Sequence, residues 1–468
     1  MSEMDQRKNA VAQSPTNRDS FGSKLGVIAA AAGSAIGLGN IWKFPYMTGE
    51  NGGAAFVLVY LVCIAIIGLP VMLSEFIIGR RGQKNAIGSF KKLAPGTPWF
   101  LTGWMGVVAA FMILSFYAVV AGWCMEYVFK SVTGGFAGLS PEEIGNVFGT
   151  FTSGVVRPIF WLTVFMALTG CIVYAGIKEG IEKYSKILMP LLLVIIIVLG
   201  IRAVTLPGAG AGLEFLFKPD FSKLSAKGVL LALGHAFFSL SLGMGTMITY
   251  GSYINKRENL GATTLQVTIA DTAIALLAGI AIFPAVFAFN IDPASSVGLA
   301  FITLPNVFNQ MPGGMFFGFL FFLLLSVAAL TSAISILEVV VAYFSEELKM
   351  TRHKATWIAT TVITIIGVFC SLSLGPMSEV LFFGRNFFGL MEWTSSNLLL
   401  PLGGLFITLF IGWYWGPKRT KEELSNEGTL AVPYLSLFMF VCKYIAPLAI
   451  FIVFLHGMGW LSWLPFLK

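Results

Sequence analysis

Along most of this chain the apolar residues follow neither the alternation of a half-buried strand nor the stripe of an amphipathic helix. They run in long blocks separated by short polar segments, at 25–47, 54–79, 101–130, 158–177, 184–204, 228–252, 263–289, 314–345, 355–373, 384–414 and 433–456. Each block supplies the roughly 20 apolar residues that a helix needs to cross a hydrocarbon core. Lipid offers backbone groups no partner, so such blocks predict helices rather than open strands. The expected class is an all-α polytopic membrane protein of about 11 transmembrane helices. Composition agrees: 56% of residues are hydrophobic and 11% are charged, against about a quarter charged in soluble domains. No stretch is left over for a sizeable soluble domain.

A net charge of +7 would suggest nucleic acid in a soluble protein. Here it reflects Lys and Arg gathered in alternate loops, which marks the cytoplasmic face. Arg7, Lys8, Arg18 and Lys24 precede the first span; Arg80, Arg81, Lys84, Lys91 and Lys92 follow the second. Lys178, Lys183 and Lys186 follow the fourth, Lys256 and Arg257 the sixth, Lys349, Arg352 and Lys354 the eighth, and Lys418, Arg419 and Lys421 the tenth. The loop after the fifth span, with Arg202, Lys218, Lys223 and Lys227, is mixed. The amino terminus is therefore expected in the cytoplasm and the carboxyl terminus outside. Residues 1–24 read as a polar cytoplasmic tail, with no signal peptide. Cys63, Cys124, Cys171, Cys370 and Cys442 have no paired spacing and read as small buried hydrophobes.

Two spans are poor candidates for continuous helices. The first contains Gly33-Ser34-Ala35-Ile36-Gly37-Leu38-Gly39-Asn40, and the sixth contains Ser239-Leu240-Ser241-Leu242-Gly243-Met244-Gly245. Glycine weakens a helix interior. Small residues also let membrane helices pack closely, and either run taken alone fits that reading equally. Two runs at corresponding places in spans 1–5 and 6–10 point instead to a 5+5 inverted repeat with broken helices 1 and 6. The expected units are 25–204 and 228–414, with 433–456 as an added helix. Such breaks survive at membrane depth only where protein or water covers them, and they place a binding site at the midplane. Freed N–H groups there suit a carboxylate, and freed carbonyls suit an alkali cation or an ammonium group.

These strings, in this order, resemble the neurotransmitter:sodium symporter family, with the leucine-transporter fold. The resemblance is carried by GSAIGLGNIWKFPY (33–46), ENGGAAF (50–56), GLPVMLSEFIIGR (68–80), GIEKYSKILMP (180–190), FFSLSLGMGTMITYGSY (237–253) and ALTSAISI (329–336). It implies a sodium-coupled symporter, and the compact chain suggests a bacterial hydrophobic amino acid transporter of the inner plasma membrane. It also implies two sodium sites. One is expected at the carbonyl of Ala35 with Asn40, Ser239 and Asp271; the other at the carbonyls of Gly33, Ile36 and Ala328 with the hydroxyls of Thr331 and Ser332. The substrate carboxylate would meet the first sodium, the N–H groups of Leu38 and Gly39, and the hydroxyl of Tyr117. Its ammonium group would meet the carbonyls of Ala35, Phe238 and Ser239. Ile113, Tyr117, Phe238, Ser241, Met244, Ser332 and Ile336 would line the side-chain pocket.

Gly37 bears on substrate class, because amine-carrying relatives place an Asp there. Glycine leaves that space to the substrate's own carboxylate, which favours amino acids. A charged substrate side chain would be left unpaired in this apolar pocket, so apolar or aromatic L-amino acids are expected. Asp271 stands where many relatives have Asn, and Ala275 where Ser or Glu is usual. Asp271 is expected to supply the negative charge that chloride provides elsewhere, so no chloride is expected as a co-ion. Intramembrane acids are functional candidates by default. Glu75 is expected to accept N–H groups of the broken helices; Glu126 reads as facing an aqueous vestibule, and Glu338 has no assigned role. His235 reads either as a neutral, hydrogen-bonded side chain or as a titrating one.

Lys43 and Glu392 resemble the family's outer charged pair, with Lys in place of Arg and a looser pairing expected. Arg18 and Glu346, with Tyr253 nearby, resemble the cytoplasmic latch. Any one such pair is otherwise a solvated ion pair worth about 0–1 kcal/mol. Gly180 and Pro190 mark either a hinge at the start of the fifth span or an ordinary helix boundary. The acids form no tight set with His or Ser at motif spacing, so the chain does not read as an enzyme. Proton coupling or exchange on the same fold, and a non-transporting amino acid sensor, stand as alternatives. The expected partners are a small amino acid and the bilayer, not nucleic acid.

Overall fold

The computed structural model describes residues 19–291, 298–461 and 463. Its helices follow the hydropathy blocks closely. They are α1a (Lys24–Ala35) and α1b (Gly39–Glu50), α2 (Ala54–Gly82), α3 (Phe100–Val132), α4 (Val156–Tyr174) and α5 (Ile177–Val204). The second set is α6a (Ala226–Ser239) and α6b (Thr246–Gly251), α7 (Leu260–Ala288), α8 (Gly314–Glu346), α9 (Arg352–Leu372) and α10 (Phe387–Trp415). The eleventh span is α11 (Leu435–Gly457). The two sets of five match in order, each is led by a broken helix, and α11 stands outside them.

Burial sorts the helices into centre and periphery. In the most apolar stretches of α3 and α8, 83% and 78% of residues are enclosed by protein, against 33% in α5. The equivalent helices α3 and α8 pack on each other along much of their length. α1a lies against α5, α7 and α8, while α6a lies against α2 and α11 and α6b against α2. Both breaks are thus wrapped in protein, as unpaired backbone requires at membrane depth.

Short helices that the hydropathy blocks do not predict join the spans. They are Ala86–Leu93, Pro141–Thr152, Ala209–Phe217, Leu304–Gln310 and Pro417–Leu424. Pro141–Thr152 starts with a full capping box, in which Ser140 Oγ accepts the Glu143 N–H and Glu143 accepts the Ser140 N–H.

Candidate functional site

In α1 the chain leaves the helix at Ile36, whose φ of −75° and ψ of 100° are extended, and the two halves are bent by 48°. In α6 the turn passes through the left-handed region at Ser241 (φ 54°), Gly243 (φ 78°) and Gly245 (φ 78°). Gly243 is required twice over, because a Cβ there would also lie 2.4 Å from the Leu400 carbonyl. Its N–H donates to Glu75 Oε1 at 2.7 Å, so Glu75 takes a freed N–H of the α6 break, as the sequence leads one to expect. Ser241 and Ser332 both donate to the Ser34 carbonyl, at 2.8 and 3.1 Å, and tie the two breaks to α8.

A buried polar cluster joins α1b, α6a and α7. Asn40 Nδ2 donates to Asp271 Oδ1 at 2.7 Å, to the Asp271 carbonyl at 3.1 Å and to Ser239 Oγ at 3.2 Å. Ser239 Oγ reaches both Asp271 carboxylate oxygens, at 3.1 and 3.0 Å, and accepts the Tyr60 hydroxyl at 3.1 Å. Every one of these residues is buried, and Asp271 is fully enclosed. Asn40 turns its Nδ2 to the carboxylate and its Oδ1 to the Gly37 N–H at 3.1 Å, so the carboxylate and the Ser239 hydroxyl are the oxygens here that fit a hard cation, and the amide must turn over to add its own. Tyr60 was not foreseen; it lies in an unremarkable apolar run and only the fold brings it here.

The second set joins α1a to α8. Thr331 Oγ1 lies 3.0 Å from the Ala328 carbonyl and 3.4 Å from that of Ile36. Ser332 Oγ lies 3.4 Å from the carbonyls of both Gly33 and Ile36. Oxygens about 2.4 Å from a hard cation and at right angles to one another sit about 3.4 Å apart. Each hydroxyl has one ordinary hydrogen bond, Thr331 to Ala328 and Ser332 to Ser34, and the remaining contacts near 3.4 Å have the oxygen spacing that an ion's shell would use.

Between the two sets lies a small cavity of about 20 Å³ lined by Ser34, Ala35, Gly37, Leu38, Gly39, Ile113, Tyr117, Phe238, Ser241, Met244, Ser332 and Ile336. Room for about one water is all this provides, so side chains must move for a larger guest. Tyr117 OH accepts the Leu38 N–H at 3.2 Å, one of the groups expected to meet a carboxylate. The space beside Gly37 is walled off: a Cβ there would lie 2.4 Å from Ser332 Oγ and 3.0 Å from Tyr117 OH. Phe238 closes the outer side, beneath a chamber of about 320 Å³ lined by Trp42, Lys43, Trp123, Phe388 and Glu392 among others.

Several expectations need correction. Lys43 and Glu392 share the outer chamber, yet no ion pair within 4.0 Å joins them; the Lys43 ammonium sits 4.5 Å from the centre of the Phe238 ring. Cation–π attraction and the reach of a flexible Lys stem explain the choice. Arg18 lies outside the described residues. Glu346 accepts the N–H and side-chain amide of Asn85 at 2.8 and 3.0 Å. The latch expected of Arg18 with Glu346 and Tyr253 therefore lies partly outside the described residues; Tyr253 also serves Glu338, its hydroxyl donating to Oε1 at 2.7 Å, and Arg352 donates to both carboxylate oxygens at 3.0 and 2.6 Å. Glu338 thus has a role, as the centre of a buried latch joining the turn after α6b to α8 and α9. Glu126 is fully buried, paired with Arg157 at 2.9 Å and accepting the Trp161 indole N–H at 2.5 Å, at the wall of an open cavity of about 500 Å³ that Lys130, Glu143 and Arg157 also line. His235 is buried between Phe44 and Tyr60, and neither ring nitrogen has a hydrogen-bond partner among the described residues. Cys171 is exposed, unlike the other four cysteines. Gly180 falls in a π-helical stretch, Ile177–Glu182, and Pro190 lies inside the helix that continues it.

Paired broken helices with buried oxygen clusters and a small cavity between them are the architecture of a secondary transporter. The family model described as the sodium:neurotransmitter symporter family matches residues 18–143 and 149–463. An uncharacterized sodium-dependent transporter of Bacillus subtilis is 42% identical over 94% of this chain and 98% of its own length. Another from Haemophilus influenzae is 37% identical over 94% of this chain and 98% of its own. Among solved structures, that of MhsT in complex with L-phenylalanine is 49% identical, with a TM-score of 0.87, covering 94% of this chain and all of that one. The chain belongs to the sodium:neurotransmitter symporter family and has the leucine-transporter fold. It is a sodium-dependent, multi-pass membrane transporter of a small molecule, not an enzyme.

Proposed function

We propose that this chain takes up apolar or aromatic L-amino acids with sodium by alternating access, independently of chloride. The observation that carries the reading is the enclosed cluster of Asn40, Ser239 and Asp271 beside a cavity walled by Ile113, Tyr117, Phe238, Met244 and Ile336. Asp271 gives the first sodium a fixed counter-charge, the place that chloride fills in other relatives. Two sodium ions would bind, one at Ala35, Asn40, Ser239 and Asp271, the other at Gly33, Ile36, Ala328, Thr331 and Ser332. The substrate carboxylate would displace the Tyr117 hydroxyl from Leu38 and lie on the N–H groups of Leu38 and Gly39; its side chain would press Met244 and Ile336 outward. The ligand of the structural neighbour, L-phenylalanine, agrees with an aromatic guest.

On loading, Phe238 and Lys43 would close the outer path, and the latch at Glu338, with the Arg18 and Glu346 region, would open the inner one. Gly180 and Pro190 would serve as the hinge of α5. The repeats are assigned to 25–204 and 228–414, in an inner plasma membrane with the amino terminus inside and the carboxyl terminus outside. Binding of labelled Leu and Trp to purified protein tests the reading, with sodium exchanged for potassium and chloride for gluconate. Sodium-dependent, chloride-independent binding displaced by apolar L-amino acids is expected. Binding indifferent to sodium would overturn the coupling.

A further inference from the structure

Glu182 lies at the cytoplasmic start of α5, away from the site above, yet its carboxylate reaches the first turn of α1a. Oε2 accepts the Gly22 N–H at 2.6 Å and Oε1 accepts the Ser23 hydroxyl at 2.8 Å. Ser23 is the N-cap of α1a, and its Oγ in turn accepts the Gly26 N–H at 3.0 Å. A relay therefore runs from the helix start through Ser23 to Glu182. Gly26 makes the approach possible, since a Cβ there would lie 2.2 Å from Glu182 Oε1. The positive end of the α1a dipole faces this negative group, which is 4% exposed. Lys186, one turn further along α5, pairs with the same carboxylate.

The element carrying Glu182 departs from a regular α-helix. Glu182 ends the π-helical stretch Ile177–Glu182, which starts after Gly176 at φ 94°. π-helical turns inside helices are frequently found at functional places. Further along, α5 meets α1a again: the Met189 sulfur would lie 3.3 Å from a Cβ on Gly33, whose carbonyl belongs to the second cation set. α5 thus touches α1a at its cytoplasmic cap and again at the ion set. A shift of Ile177–Glu182 would pull on the cap of α1a.

We propose that Glu182 is a positioning residue of the transport cycle, its carboxylate clamping the first turn of α1a to α5 so that opening the cytoplasmic path requires its withdrawal. The inference rests on the alternating-access reading. The test uses full-length protein in proteoliposomes and in detergent, comparing wild type with Glu182→Gln, Lys186→Gln and Ser23→Ala. The Gln amide keeps the volume but turns one acceptor into a donor facing donors. In Glu182→Gln the sodium KM for uptake should rise on the order of tenfold, the scale of losing charge-assisted hydrogen bonds. Maximal rate at saturating sodium should stay within about twofold, because excess sodium pulls the equilibrium back. Hydrogen exchange should speed up at 22–34 and 177–189 and be unchanged across α3. Lys186→Gln, which leaves the clamp intact, should stay within about twofold in sodium KM.

An unshifted sodium KM with unchanged exchange in Glu182→Gln would overturn the clamp, as would an equal effect from Lys186→Gln. Should Glu182→Gln not be recovered folded, Ser23→Ala decides: faster exchange at 22–34 supports the relay, and unchanged exchange overturns it. Wild-type uptake driven by a sodium gradient is the control. Its failure would sink the transport reading, whereas an active wild type with an unshifted Glu182→Gln sinks only the clamp.

Discussion

Replacing Arg352 by Ala should open the cytoplasmic side of the transporter. Arg352 holds the fully buried carboxylate of Glu338 through two hydrogen bonds, at 3.0 and 2.6 Å, and Tyr253 adds a third at 2.7 Å. Arg352 also donates to the Val173 carbonyl at 3.0 Å, tying α4 into the same latch. Removing one partner of a buried pair costs about 3–5 kcal/mol, because the remaining charge is left uncompensated. The Arg352 side chain is 21% exposed, which argues for the lower end. Only the closed state bears this cost, since water reaches Glu338 once the path opens. A cost of about 3 kcal/mol shifts the closed–open balance by a factor of about 150. Sodium-dependent substrate affinity should fall accordingly, and a cysteine-reactive probe should label the cytoplasmic path faster. Glu338→Gln added to Arg352→Ala should recover much of the loss, because no buried charge then remains. An unchanged affinity in Arg352→Ala, or strict additivity in the double variant, would refute the reasoning.

Other outcomes follow from the same geometry. Gly37→Asp should abolish amino acid binding, since its Cβ would lie 2.4 Å from Ser332 Oγ and its carboxylate would compete with the substrate's; titration of labelled Leu checks this. Asp271→Asn should weaken sodium-dependent binding in chloride-free buffer by about tenfold or more, as one charge-assisted partner of the cation goes. Added chloride should restore part of that loss. Gly243→Ala should shorten the half-life at elevated temperature, because it combines a left-handed backbone, costing about 1–2 kcal/mol, with a backbone clash.

The spans were legible in the sequence because a membrane leaves only one economical solution for long apolar blocks. The breaks were legible because glycine runs at 33–39 and 239–245 contradict it. Hydropathy could not show the short helices such as Ala86–Leu93 and Pro417–Leu424, which are amphipathic or polar and sit in loops. Side-chain partnerships were the least legible. Glu338 finds Arg352 across a helix turn-around, Glu126 finds Arg157 from the next span, and Glu182 finds Gly22 across 160 positions. Such choices depend on which helix faces which, and a one-dimensional pattern does not contain that. Lys43 shows the same limit in reverse: its family counterpart suggests a carboxylate partner, but its ammonium lies over the Phe238 ring.

The central claim is sodium-driven amino acid uptake with Asp271 in place of chloride. It is tested most directly by uptake of labelled Leu into proteoliposomes under an inward sodium gradient, with gluconate replacing all chloride. Concentrative uptake that collapses when the sodium gradient is dissipated, at a rate unaffected by chloride, is the result predicted. Uptake that proceeds without sodium, or that appears only when chloride is supplied, would contradict the account.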